Sequence, residues 1–177
     1  MQSENVPSSL DERKVAPVNP TTADKNRLRS HLAAARLGGA VALMLGSPRH
    51  RNMPLGMLRR CLIPAMSRGQ MSLVEAGAPE SGETAPVALI LWAKVSDETH
   101  ARLLKDLDKA MILDPEEWSG GENYWIIDAI GPERFVAPAI RSLRKGAFKD
   151  KIVHFRARES ESENAPLVVK TLEPLQG

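Results

Sequence analysis

Two apolar runs fix what this chain can fold into. Residues 87–95 are apolar at nearly every position, and residues 123–130 are apolar over most of their length. A short, near-continuous apolar run reads as a central strand buried on both faces. Such strands need helices packed on the sheet they build.

The rest of the chain supplies those helices. Thr22 or Asp24 can cap a helix whose apolar positions are Leu28, Leu32, Ala35, Gly39 and Ala42, ended by Gly46 and Pro48. Asn52 is a candidate N-cap for a second helix, with Pro54 in its first turn and a stripe of Leu55, Leu58, Leu62 and Ala65. Pro64 should kink or end it. Residues 70–75 read as a strand, and the Gly-, Pro- and Glu-rich residues 76–85 as an exposed hairpin connection. Ser96 or Asp97 caps a helix with Leu103, Leu107 and Ala110 inward, followed by a turn-rich segment over 114–122. Gly131-Pro132 stops the second central strand. A short helix with Phe135, Ala139 and Leu143 on one side follows, with Pro138 tolerable only near its start. Residues 152–158 and 166–172 are late strands around an acidic loop. The order predicts an α/β or α+β layered protein: a single mixed sheet with helices packed on it.

Residues 1–22 are polar, Pro-containing and aperiodic, and read as a flexible tail before one domain over 23–177. The tail lacks the apolar run of an export signal. No stretch approaches the roughly 18 apolar residues of a membrane span. A cytoplasmic protein with no stable membrane insertion is expected. Aromatic residues make up only 4% of the chain, so the core must rest on aliphatic side chains and Met. One cysteine, Cys61, excludes an internal disulfide and a multi-cysteine zinc site, and no metal is expected. Net charge is +2, too small to point to nucleic acid by itself. The basic residues are clustered, however: Arg49, Arg51, Arg59, Arg60 and Arg68 in one run, Arg141, Arg144, Lys145, Lys149 and Lys151 in another. These are solvated helix faces or docking surfaces for an anionic partner.

Two features carry chemistry. Asp128 interrupts the second central strand, and strict alternation puts it on the face of Tyr124, Ile126 and Ile130. A carboxylate there must be paired or strongly hydrogen-bonded. It caps the Gly131-Pro132 turn, pairs with an arginine, or pairs with an imidazole. His50, in the loop Ser47-Pro48-Arg49-His50-Arg51-Asn52-Met53-Pro54, is the candidate imidazole. In such a pair the carboxylate fixes the tautomer and the free nitrogen either takes a proton or attacks to form an acyl-imidazole, and both routes suit acyl transfer. His31, His100 and His154 show no chemical neighbourhood in the sequence. No G-x-S-x-G elbow is present, and Cys61 reads as core before nucleophile.

The motifs Ser47-Pro48-x-His50-Arg51-Asn52-x-Pro54, Leu62-x-Pro64-Ala65, Glu117-Trp118-x-Gly120-Gly121 and Trp125-x-Ile127-Asp128-x-Ile130-x-Pro132 follow in order. With residues 86–92, they resemble the toxin-activating lysine acyltransferases, which activate repeat-in-toxin proteins before export. The resemblance covers residues 33–145. It implies a fold like that of the GNAT-type N-acyltransferases and a homodimer. It also implies transfer of a fatty acyl group from acyl carrier protein, as co-substrate, to internal lysines of a protoxin, with no bound cofactor and no nucleic acid. The family's catalytic pair falls on His50 and Asp128. Met53 stands where the family often has an aromatic residue.

Candidate substrate-binding groups are Asn52, for the thioester oxygen, and Arg59, Arg60, Arg141, Arg144 and Lys145, for the acidic carrier. Two other readings stay open. A coenzyme-A-dependent N-acetyltransferase of the same fold would want a Gly-rich phosphate loop after a central strand, where this chain has Gly131-Pro132-Glu133. A non-enzymatic adaptor for a secreted protein would tolerate loss of His50 or Asp128.

Overall fold

The computed structural model describes residues 21–77, 82–160 and 165–175. All but the last two residues of the expected tail lie outside this range, and Thr22 already opens the first helix. The middle of the hairpin connection and of the acidic loop also lie outside the described residues.

Helix α1 spans Thr22–Gly46 and begins on a capping box. Thr21 Oγ1 accepts from the Asp24 amide at 3.2 Å, and Asp24 Oδ2 accepts from the Thr21 amide at 3.1 Å. The cap is therefore Thr21, one residue before the expected Thr22. The predicted stripe is also displaced. Leu28, Leu32, Ala35 and Ala42 are exposed, whereas Ala40 and Met44 are buried, with Leu37 and Val41 beside them. Among the described residues, its second half is the part that packs on the sheet. Gly39 lies against Leu73 and Pro86 there, and Arg36 donates to the Met71 carbonyl at 3.1 Å.

The expected second helix is two short pieces: a 3₁₀ turn, Leu55–Arg59, and helix α2, Leu62–Ser67. Pro54 precedes the 3₁₀ turn with no side-chain cap, so Asn52 does not cap it. Pro64 does not end a helix. It sits in the first turn of α2, where an absent N–H costs no intrahelical bond.

The sheet is mixed, with strands β1 Met71–Gly77, β2 Thr84–Val95, β3 Asn123–Ile130, β4 Val153–Arg158 and β5 Leu167–Leu172 in sequence order across it. Among the described strands, β3 and β4 pair in parallel and the other neighbours are antiparallel. Among the described residues there are four α-helices, which makes the molecule α+β. Helix α3, Asp97–Lys105, is capped by Ser96, whose Oγ accepts from the Thr99 amide at 3.2 Å. It buries Leu103 but ends before Leu107 and Ala110. Helix α4, Glu133–Lys145, carries Pro138 in its interior, not at its start. Burial of Ala139 and packing of Leu143 hold it on the sheet.

The sheet divides two cores. One side joins Leu89, Leu91, Trp125 and Ile127 to α1, α2 and the buried Trp118. The other joins Ile90, Trp92, Tyr124 and Ile126 to α4 and Phe148. One irregularity decides which core Asp128 faces. Trp92 pairs with Ile126 but Leu91 pairs with Asp128, so Ile127 is an extra residue, a β-bulge. Strict alternation would leave Asp128 with Tyr124 and Ile126. The bulge carries it to the side of its cross-strand partner Leu91, so the alternation expected from the sequence holds only up to Ile127.

Candidate active site

After α1 the backbone coils tightly. Ser47 is the C-cap, its amide bonded to the Met44 carbonyl at 3.1 Å. The Ser47 carbonyl accepts from the His50 and Arg51 amides at 3.0 and 2.9 Å, and the His50 carbonyl from Met53 at 2.8 Å. Four satisfied backbone bonds hold the imidazole on the side of the sheet to which the bulge brings Asp128.

His50 Nε2 lies 2.6 Å from Asp128 Oδ2, and Ser47 Oγ lies 2.9 Å from His50 Nδ1. An ionised carboxylate only accepts, so the neutral imidazole carries its hydrogen on Nε2 and donates it to Asp128. Nδ1 is then the acceptor, taking the Ser47 hydroxyl hydrogen. The second carboxylate oxygen, Oδ1, accepts from the Arg49 guanidinium. The His50 and Asp128 side chains are only 9% and 16% exposed, while Arg49 is 67% exposed. Two ordered groups thus sit inside, with a solvated cation on the outer oxygen of their carboxylate.

The pair opens onto a cavity of about 310 Å³. Four of the chain's seven methionines, Met44, Met53, Met57 and Met111, line it with Leu91 and Trp118. Methionine is flexible and polarisable, and adapts to an apolar ligand of variable shape. The far wall is fixed by Trp118. Its Nε1 donates to the Arg60 carbonyl at 2.8 Å, and its own carbonyl accepts from Gln70 Nε2 at 2.8 Å. Cys61 also lines the cavity. Burial pushes its thiol up, the Asp128 charge adds to this, and its Sγ donates to the Met57 carbonyl at 3.2 Å. A protonated thiol is not a nucleophile.

The other predicted binding residues are dispersed. Arg60 lines the cavity and pairs with Asp114 at 2.5 Å. Arg59 is exposed beside it, and Asn52 is exposed and outside the cavity lining. Arg141, Arg144 and Lys145 lie on α4, which covers the opposite side of the sheet, and Arg144 donates to the Glu173 carbonyl at 2.6 Å. His100 and His154 do have a neighbourhood. Their rings lie 4.8 Å apart beside Trp125, whose Nε1 donates to His100 Nδ1 at 3.0 Å. Ser47 and Trp118 were visible only as motif letters, and Arg49 only as one charge in a basic run.

A hydroxyl, an imidazole and a carboxylate in hydrogen-bonded series, beside an apolar cavity, have the geometry that general-base chemistry on one histidine requires. A model of the RTX toxin acyltransferase family matches residues 30–172, and the chain belongs to that family. It is 35% identical over 96 residues to the leukotoxin-activating lysine-acyltransferase LktC of Pasteurella haemolytica-like sp. (strain 5943B), covering 54% of this chain and 53% of that one. It is 36% identical over 97 residues to the RTX-II toxin-activating lysine-acyltransferase ApxIIC of Actinobacillus pleuropneumoniae, covering 54% of each. In both alignments the chain spans about half the length of the relative. The protein-lysine myristoyltransferase HlyC of Escherichia coli is 31% identical over 121 residues, 68% of this chain and 64% of that one.

Proposed function

We propose that this protein is a protein-lysine fatty acyltransferase that moves an acyl chain from acyl carrier protein to internal lysines of a repeat-in-toxin protoxin. One observation carries the reading: His50, held between Ser47 and Asp128, stands at the edge of a methionine-lined cavity. Family membership supports the same chemistry, since relatives bear the names lysine-acyltransferase and myristoyltransferase.

The acceptor lysine has an ordinary pKa of about 10.4, so attack on a thioester needs its neutral amine and a base for the N–H proton. The amine nitrogen bonds to the thioester carbonyl carbon and the C–S bond breaks. The N–H proton passes to His50 Nδ1 by way of, or in place of, the Ser47 hydroxyl. His50 then gives that proton to the departing thiolate. Asp128 holds the ring and balances the imidazolium. The acyl chain lies among the methionines. Arg59, exposed next to Arg60, is the docking candidate for the acidic carrier.

Acyl carrier protein is favoured over coenzyme A at the end of β3. Pro132 at the N-cap of α4 offers no N–H, and Glu133 adds negative charge where a pyrophosphate would sit. The working form is taken to be a homodimer, with Leu28 and Leu32 of α1 uncovered for a second copy.

Mass spectrometry of a repeat-in-toxin partner, incubated with this protein and myristoyl acyl carrier protein, tests the reading. A fatty-acyl mass on lysine is expected with the native chain and not with a folded His50→Ala variant. Acylation by the His50→Ala variant at the native rate removes the base, and an adaptor becomes the better reading.

A further inference from the structure

Asp128 poses a problem for any enzyme that accepts a lysine. A carboxylate beside the reacting amine would bind the ammonium form and hold it there, because an opposite charge within a few ångströms favours the charged state, by about one to three pH units. An ammonium has no lone pair to attack with. Of the two carboxylate oxygens, Oδ2 is committed to His50, which leaves Oδ1 as the trap.

In the structure Oδ1 is already occupied by Arg49. Arg49 also separates two spaces. On one side lies the apolar catalytic cavity, and on the other a groove of about 530 Å³ between the end of α1 and the Gly131-Pro132 turn. The groove is lined by Leu43, Val87, Ile130 and Pro132 among others, and among the described residues Arg49 is its one titratable side chain. An acceptor arriving along it meets a guanidinium before it meets Asp128.

We infer that Arg49 keeps the acceptor lysine reactive: it caps Asp128 Oδ1 against the ammonium and, as a fixed cation, favours the neutral amine. This rests on the lysine acyltransferase reading of the site. The mechanism is electrostatic, and a neighbouring cation activates catalytic lysines elsewhere in the same way. The other charged or titratable groups facing the pair do not take over this role. Arg60 is engaged with Asp114, Cys61 is held protonated, and His50 is the base itself. Arg49 acts on the substrate's charge state and not on the scissile bond.

The test measures the single-turnover rate of acyl transfer from myristoyl acyl carrier protein to Nα-acetyl-lysine methylamide, against pH and acceptor concentration. Three proteins are compared: the native chain, Arg49→Gln and Arg49→Lys. Arg49 is 67% exposed, so neither substitution threatens the fold. For Arg49→Gln the rising limb of the maximal rate should move about one pH unit alkaline, a loss of about tenfold at pH 7. The apparent KM for the acceptor should fall with it, since the freed carboxylate binds ammonium in an unproductive pair. Arg49→Lys should restore the native limb. If Arg49 merely braces Asp128, Arg49→Gln lowers the rate equally at every pH without lowering KM, and the inference is overturned. If the native chain transfers only to a repeat-in-toxin partner, the same three proteins are compared on that acceptor with the same two outcomes; absence of transfer to both acceptors overturns the acyltransferase reading itself, and this inference with it.

Discussion

His50 has both ring nitrogens engaged, and Asp128 both carboxylate oxygens, so each change at the site has a specific consequence. Asp128→Asn keeps the volume and removes the charge. The amide can present N–H where Nε2–H needs an acceptor, which drives the hydrogen to Nδ1 and abolishes the base. Turnover should fall by orders of magnitude; the analogous change in a serine protease costs about 10⁴. Thermal unfolding should shift little, because the side chain lies at a cavity wall and keeps a polar partner. Near-native turnover in a folded Asp128→Asn protein would dissolve the pair. His50 and Asp128 were legible in the sequence because each is chemically out of place, an imidazole in a loop and a carboxylate in an apolar strand. Ser47 and Arg49 were not. Their roles depend on the coiled backbone after Gly46, which turns three neighbouring side chains onto one carboxylate-imidazole unit, and no periodicity encodes that.

At the scale of elements, the strands were read closely and the first helices less so. Apolar runs bounded by Gly and Pro define β2 and β3 wherever the chain places them. The inward face of α1, by contrast, depends on where the sheet lies, and the regularly spaced set Leu28, Leu32 and Ala35 is real but exposed among the described residues. Clustered charge was likewise visible without its address. Arg59 is exposed next to Arg60, which lines the methionine-rich cavity, and Arg141 lies on a helix behind the sheet. Arg59→Glu should therefore raise the KM for acyl carrier protein several-fold at low salt and lose that effect as salt rises. Arg141→Glu should change it little. Equal effects of the two reversals would move the docking surface to α4.

For the molecule as a whole, the described residues contain no helix long and apolar enough to cross a membrane. Stability should carry an acid-sensitive component from the His100–His154 pair beside the parallel β3/β4 pairing. Burial lowers the His154 pKa below the ordinary 6.5, and the His100 charge adds to this against an opposing pull from Glu173. The unfolded chain thus takes up the proton first. This contribution is complete above about pH 6.5 and is lost as pH falls through the folded value. Glu117 acts in a lower window. Burial raises its pKa, but bonds from Asp114, Thr99 and Arg102 outweigh this, so its share goes only below the ordinary 4.5. Urea unfolding at pH 7.5 and 5.5 should show a decline that His154→Gln reduces, and an identical decline in that variant would assign it elsewhere. The extra residue in β3 has a consequence at this scale too. Each residue before Ile127 faces the side its position number predicts, and those after it are inverted in parity. A relative that kept every motif letter but ran this strand in strict alternation, without the bulge, would aim its aspartate into the α4 core. Such a chain would align well and catalyse nothing. The two-for-one pairing opposite Leu91 and Trp92 is thus a sharper test for a working member than identity over the whole chain.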